Sequence, residues 1–148
     1  MMQLLVTSGI RRGECIGLKW KDIDERAGTI TIERSAVYTP ESGIIISTPK
    51  TADSIRTIPI MQSTLKLLQQ LKKQVKGQHP DTILKEAFIF PGEANLFTPR
   101  DPNAVTRRVK RFMKRNGLPD LTTLNFYVKA DLRQMQAATE KYAAAFNL

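Results

Sequence analysis

Apolar residues recur first at helical spacing, then alternate, then return to helical spacing. Met2, Leu4, Leu5 and Val6 give an opening helix that Gly9 ends, with no capping residue before it. From Arg11 to Trp20 helical spacing resumes, with Cys15, Ile16 and Leu18 apolar. After Trp20 the period drops to two. "GTITIERSAVY" (28–38) alternates threonine and isoleucine and then runs into β-branched residues, "GIIIST" follows a Pro40-Glu41-Ser42-Gly43 turn, and "SIRTIPI" follows "PKTAD". Three short strands joined by two turns make an antiparallel meander.

Helix returns in "QSTLKLLQQLKKQVKG". Leu65, Leu68 and Leu71 line one side, Lys66, Lys72, Lys73 and Lys76 the other, and Gly77 is a stop. "FIFPG" reads as a short buried strand or extended segment. Asp101-Pro102-Asn103 then opens a helix whose Val105, Val109, Phe112 and Met113 share one face, with Gly117 and Pro119 beyond its end. Leu121 to Phe146 is alanine-rich and helix-prone. The predicted fold is α+β: mainly helical, with a small three-stranded antiparallel sheet.

With 148 residues, 41% hydrophobic and 25% charged, the chain has the composition of one globular domain that buries a core without staples. No apolar run approaches the roughly 20 residues that span a bilayer, and "MMQLLV" lacks the features of a signal peptide. The expected location is therefore the cytoplasm. Cys15 is the only cysteine, so there is no internal disulfide, and with the single histidine, His79, it cannot build a zinc cluster. No metal site is expected. Charge adds the strongest compositional clue: 23 Lys+Arg against 14 Asp+Glu, net +9. That balance favours a polyanion, held through phosphate contacts.

Three stretches carry candidate chemistry. Between Arg100 and Arg115 stand Arg107, Arg108, Lys110, Arg111 and Lys114 with one acid, Asp101. A solvated helix face accounts for such a run, but contact with duplex phosphates accounts for it better; few aromatics are interleaved for base stacking. Lys50 lies near a hairpin tip, where a long ammonium can pair with a phosphate or protonate a leaving oxygen. Arg11 and Arg12 open a helix, where positive charge opposes the macrodipole. Local stability does not explain them. An arginine fork beside backbone N–H groups cradles a phosphate, with Glu14 on the same turn to orient it.

In this order the pieces resemble the tyrosine recombinases, the phage integrase family. "TSGIRRGECIGLKWKDID" (7–24) resembles the family's first box, Thr-Gly-hydrophobic-Arg-x-Gly-Glu followed by Leu-x-Trp-x-Asp-Ile. "TPKTADSIRTIPI" resembles its catalytic-lysine hairpin, and "FIFPG" and "NAVTRRVKRFMKRNGLP" the segments that follow. The resemblance implies that residues 1–148 are a C-terminal catalytic domain, N-terminally truncated. It makes Arg11 the first catalytic arginine, Glu14 its companion and Lys50 the hairpin lysine. The family's His-x-x-Arg and Leu-Gly-His boxes do not occur. Two registers fit the chain's end. In one, "KADLRQMQAAT" is a degenerate His-x-x-Arg helix, with Ala130 for histidine and Arg133 as second arginine. In the preferred one, "TTLNFY" carries the nucleophile Tyr127, and a segment is missing near 120–122.

The implied activity is site-specific DNA recombination through a 3′-phosphotyrosyl intermediate, with no cofactor. Double-stranded DNA would be the partner, touched by Arg12, Arg100, Arg107, Arg108, Lys110, Arg111, Lys114 and Arg115. A homotetramer on DNA would form through the C-terminal helix, in a bacterial host. Two alternatives remain open: a catalytically impaired DNA-binding remnant, and a type IB topoisomerase-like enzyme.

Overall fold

Residues 1–48 and 55–115 are described by the computed structural model. Their elements run α1 (Met2–Ser8), α2 (Arg12–Gly17), a short 3-10 turn (Trp20–Asp22), β1 (Ile23–Asp24), β2 (Thr29–Ile32), β3 (Ser35–Thr39), β4 (Gly43–Ser47), β5 (Arg56–Pro59), α3 (Gln62–Lys76), α4 (Asp81–Glu86) and α5 (Pro102–Arg115). The class is α+β, as the sequence of periods predicts. Gly9 ends α1 in the left-handed conformation, φ 64°, which glycine adopts without strain. The expected helix from Arg11 to Trp20 is shorter, because the chain extends at Leu18 and turns tightly at Trp20. α4 carries one buried residue, Leu84, too few to write a period in the sequence.

The strands depart from the expected meander. The run from Gly28 to Tyr38 is two strands, parted at Glu33-Arg34. Arg34 follows Ile30 and Ile32 at the two-residue period and so turns inward, where its Nη1 lies 2.5 Å from Asp22 Oδ2. β2 is the centre of a three-stranded antiparallel sheet ordered β1-β2-β5, with Ile30 opposite both Ile23 and Ile58. β3 and β4 form a separate two-stranded ribbon, Ala36 opposite Ile46. Thus β5 returns to β2 across the whole ribbon instead of adding to β4.

Two apolar clusters hold these elements together. The larger joins Leu4, Ile10, Cys15, Leu18 and Trp20 to Ile30, Ile32, Ile60 and the α3 residues Leu65 and Leu68. The smaller joins Ile16, Ala36 and Val105, with Ile44 and Val109 packed on it. α2 sits between the two, Cys15 facing one and Ile16 the other. A six-residue helix has no stability of its own; burial on both sides, at about 1.5–3 kcal/mol per large apolar side chain, fixes it. The "FIFPG" segment is buried at Phe88, Ile89 and Phe90 and bends between isolated bridges at Phe88 and Pro91 instead of forming a strand. It lies against Leu18–Trp20, with Trp20 N–H donating to the Ala87 carbonyl (3.1 Å) and Ile89 N–H to that of Leu18 (2.9 Å).

Among the described residues, no helix is long and apolar enough to cross a membrane.

Gly13 and Gly17 stand four apart on one face of α2, Gly13 against the start of β3 and Gly17 against Arg34 just before it. A Cβ on Gly13 would lie 2.7 Å from the Ala36 carbonyl oxygen, and one on Gly17 3.0 Å from that of Arg34. Both contacts are with backbone, which cannot rotate away. Gly13→Ala is therefore expected to cost about 1–3 kcal/mol through overpacking, read as a lower denaturant midpoint. An unchanged midpoint would contradict this close approach of α2 to β3.

Candidate active site

Arg11 is the residue that caps α2, extended at φ −67° and ψ 149°. Its own N–H donates to Glu14 Oε2 at 2.8 Å, the third-position glutamate reaching back as in a capping box. The side chain of Arg11 also meets Glu14, Nη1 to Oε1 at 3.1 Å, yet remains 65% exposed. Glu14 is 9% exposed. One terminal nitrogen of Arg11 is thus tied to the buried carboxylate, while the side chain is largely exposed.

A second arginine completes the arrangement. Arg56, at the start of β5, donates from Nη1 to Glu14 Oε1 (3.0 Å) and from Nη2 to Oε2 (2.7 Å), a bidentate fork. Glu14 accepts four hydrogen bonds, two from each arginine, which fills the capacity of a carboxylate. Burial pushes the Glu14 carboxyl up, but the bonds from Arg56 and the Arg11 N–H, with the Arg56 charge, outweigh it and hold the group below its ordinary 4.5. Two guanidiniums on one carboxylate leave a net positive charge at the exposed mouth of α2. Such a charge is complementary to an anion. Cys15, next in sequence, is no competing nucleophile: it is fully buried, and burial pushes its thiol up to about 12.

The basic residues named from the sequence fall into two groups. Arg12 and Arg100 are partly buried and tie elements together. Arg12 donates to Thr106 Oγ1 on α5, and Arg100 Nε donates to the Pro91 carbonyl at 3.1 Å. Arg107, Arg108, Lys110, Arg111, Lys114 and Arg115 are exposed along α5. Asp101, the acid of this stretch, is engaged locally: its oxygens accept from the N–H groups of Asn103 (2.8 Å) and Ala104 (3.2 Å) at the start of the helix. Arg12 bonded to α5 makes α2 and the basic helix one unit. Lys50, Tyr127, Ala130 and Arg133 lie outside the described residues. No group of three or more potential metal ligands occurs among the described residues.

Arg56 carries a signal of its own in the sequence. It shares a strand face with Ile58 and Ile60 at the two-residue period, and an arginine on an apolar strand face requires a carboxylate partner. The same signal marks Arg34 after Ile30 and Ile32. Neither sign says which carboxylate is the partner.

Because Glu14 titrates lower in the folded chain than in the unfolded one, its contribution is complete above pH 4.5 and lost as pH falls through the lowered folded value. Glu14→Gln is expected to be about 2 kcal/mol less stable than the parent at pH 7, with the gap closing below pH 4.5. Denaturant titrations of both proteins across this range measure the gap. Other carboxylates contribute equally to each protein and cancel, so a gap independent of pH would contradict the ion-pair origin.

Comparison with known proteins supplies the family. The profile of the phage integrase family matches residues 1–135. The ICEBs1 integrase of Bacillus subtilis (strain 168) is 29% identical over 122 residues, covering 80% of this chain and 32% of that protein. A XerC-like tyrosine recombinase of Caldanaerobacter subterraneus subsp. tengcongensis is also 29% identical, over 126 residues, 76% of this chain and 32% of its own. The chain therefore spans about a third of the length of these relatives. Among solved structures, the Tn1549 transposon integrase in complex with circular intermediate DNA superposes with a TM-score of 0.63 at 21% identity, over 96% of this chain and 58% of that one. XerA recombinase gives 0.59 at 18% identity, over 95% and 49%. These likenesses establish the same fold. With the family profile running through the anchored arginine, the sheet and the basic helix, the chain belongs to the phage integrase family, the tyrosine recombinases.

Proposed function

We propose that the chain is the catalytic part of a site-specific recombinase, cutting and rejoining duplex DNA through a 3′-phosphotyrosyl intermediate. The observation that carries this reading is Arg11: exposed, held by a buried carboxylate, and set at a helix mouth with net positive charge. In the proposed step the Tyr127 hydroxyl gives up its proton to solvent water as its oxygen attacks the phosphorus, the bond to the 5′-oxygen breaks, and Lys50 gives a proton to that oxygen. A phosphotyrosyl ester and a free 5′-hydroxyl result. A 5′-hydroxyl reverses the step without metal or ATP, because the ester conserves the bond energy. Arg11 stabilises the non-bridging oxygens as charge builds, worth about 2.7–4 kcal/mol for a preorganised donor.

The exposed basic face of α5 holds the duplex through its phosphates. Support comes from the Tn1549 transposon integrase, solved in complex with circular intermediate DNA. Assembly into a tetramer on DNA through the C-terminal helix, in the cytoplasm of a bacterial host, belongs to the same proposal. His79 as the single histidine favours a second form of it, in which this chain binds DNA and cleaves slowly.

Trapping on a nicked duplex tests the reaction. A covalent adduct is expected that Tyr127→Phe abolishes, while Arg11→Ala slows its formation about 10²–10³-fold and leaves the protein folded. An adduct surviving Tyr127→Phe would place the nucleophile elsewhere; no adduct from any form, with duplex binding intact, would leave the DNA-binding remnant. Replacing Arg107, Arg108 and Arg111 with alanine together is expected to weaken duplex binding at low salt and flatten its salt dependence by about 0.9 per lost phosphate contact. Unchanged salt dependence would remove α5 from the interface.

A further inference from the structure

We infer that Arg56 is a positioning residue, acting on the DNA phosphate through Glu14 and Arg11 and not by touching DNA itself. The inference rests on the reading of Arg11 as a phosphate ligand. Its basis is the order of contacts. Arg56 spends both terminal nitrogens on Glu14, at 3.0 and 2.7 Å. Arg11 spends one on the same carboxylate at 3.1 Å and stays 65% exposed, against 39% for Arg56. The fork fixes the plane of the carboxylate, and that plane decides where the Arg11 guanidinium points. Without the fork, Glu14 would be free to rotate about its side-chain bonds and close fully on Arg11, drawing the guanidinium back from solvent.

The pair also joins, at their exposed ends, two elements whose inner faces meet in the larger cluster through Cys15 and Ile58. α2 carries Arg11 and Glu14. β5 carries Arg56, six residues after Lys50 in sequence. One carboxylate therefore sets the helix mouth in register with the edge of the sheet where β5 begins, Arg56 being paired with Ile32 of β2.

A mutant cycle on the full chain tests this, with affinity for a fluorescein-labelled nonspecific duplex measured over a salt series. Arg11→Ala is expected to weaken binding about tenfold and to lower the salt slope by about 0.9. Arg56→Gln should reproduce most of that loss alone and add nothing in the Arg11→Ala background. Arg56→Lys keeps the charge but not the fork, and should behave like Arg56→Gln. Thermal melts by circular dichroism establish which variants fold; if Arg56→Gln does not, the Arg56→Lys arm decides. Wild-type binding by Arg56→Lys, or a further loss from either Arg56 variant in the Arg11→Ala background, would overturn the inference and leave the Arg11 reading standing. Wild-type affinity and slope in Arg11→Ala would overturn both.

Discussion

A buried carboxylate that accepts from two guanidiniums is the constraint on which this structure turns. Glu14 is nearly inaccessible, so its charge is tolerable only because all of its hydrogen-bonding capacity is taken. The partners come from different directions, one from the start of its own helix and one from a strand that arrives after a long excursion. Satisfying Glu14 therefore brings α2 and β5 together, and the arrangement that stabilises the fold also holds Arg11 outward. In the proposed function, stability and phosphate binding draw on the same four bonds.

The rest of the opening box serves this placement. Gly13 and Gly17 let α2 approach the chain entering β3 at backbone distance, and Cys15 and Ile16 lock the helix from opposite sides. Trp20 fills the larger cluster. Asp22 accepts from the Lys19 N–H at 2.7 Å and from Arg34, closing the turn that separates α2 from the sheet. These residues lie close to Arg11 in sequence without sharing its chemistry. Arg12 looks like its twin but faces Thr106 on α5, so the pair of arginines divides its work, one residue toward solvent and one toward the basic helix.

Much of this was readable before any coordinates. Hydrophobic period located α1, α3 and α5, because each repeats apolar residues at helical spacing. It located β2 and β5 as well, since alternation of isoleucine with threonine or arginine has no other economical meaning. Which strands pair was not legible. Pairing depends on where the chain leaves the sheet, and that exit at Glu33-Arg34 is set by a contact between Arg34 and Asp22 twelve residues apart. Arg11 and Glu14 were legible because they are three apart on one helical turn; Arg56 was not connected to them because forty-two residues intervene. Local rules report what a residue needs, while partners distant in sequence are decided by the assembled fold.

The central claim is that Arg11, held by Glu14 and Arg56, forms the anion site at the mouth of α2. A crystal of the chain soaked in tungstate, a heavy tetrahedral dianion with phosphate-like geometry, tests it most directly. The account predicts an anomalous peak with oxygens about 3 Å from the Arg11 guanidinium, with the Arg56 fork on Glu14 intact. Tungstate bound only along α5, with Arg11 turned onto protein groups, would contradict it.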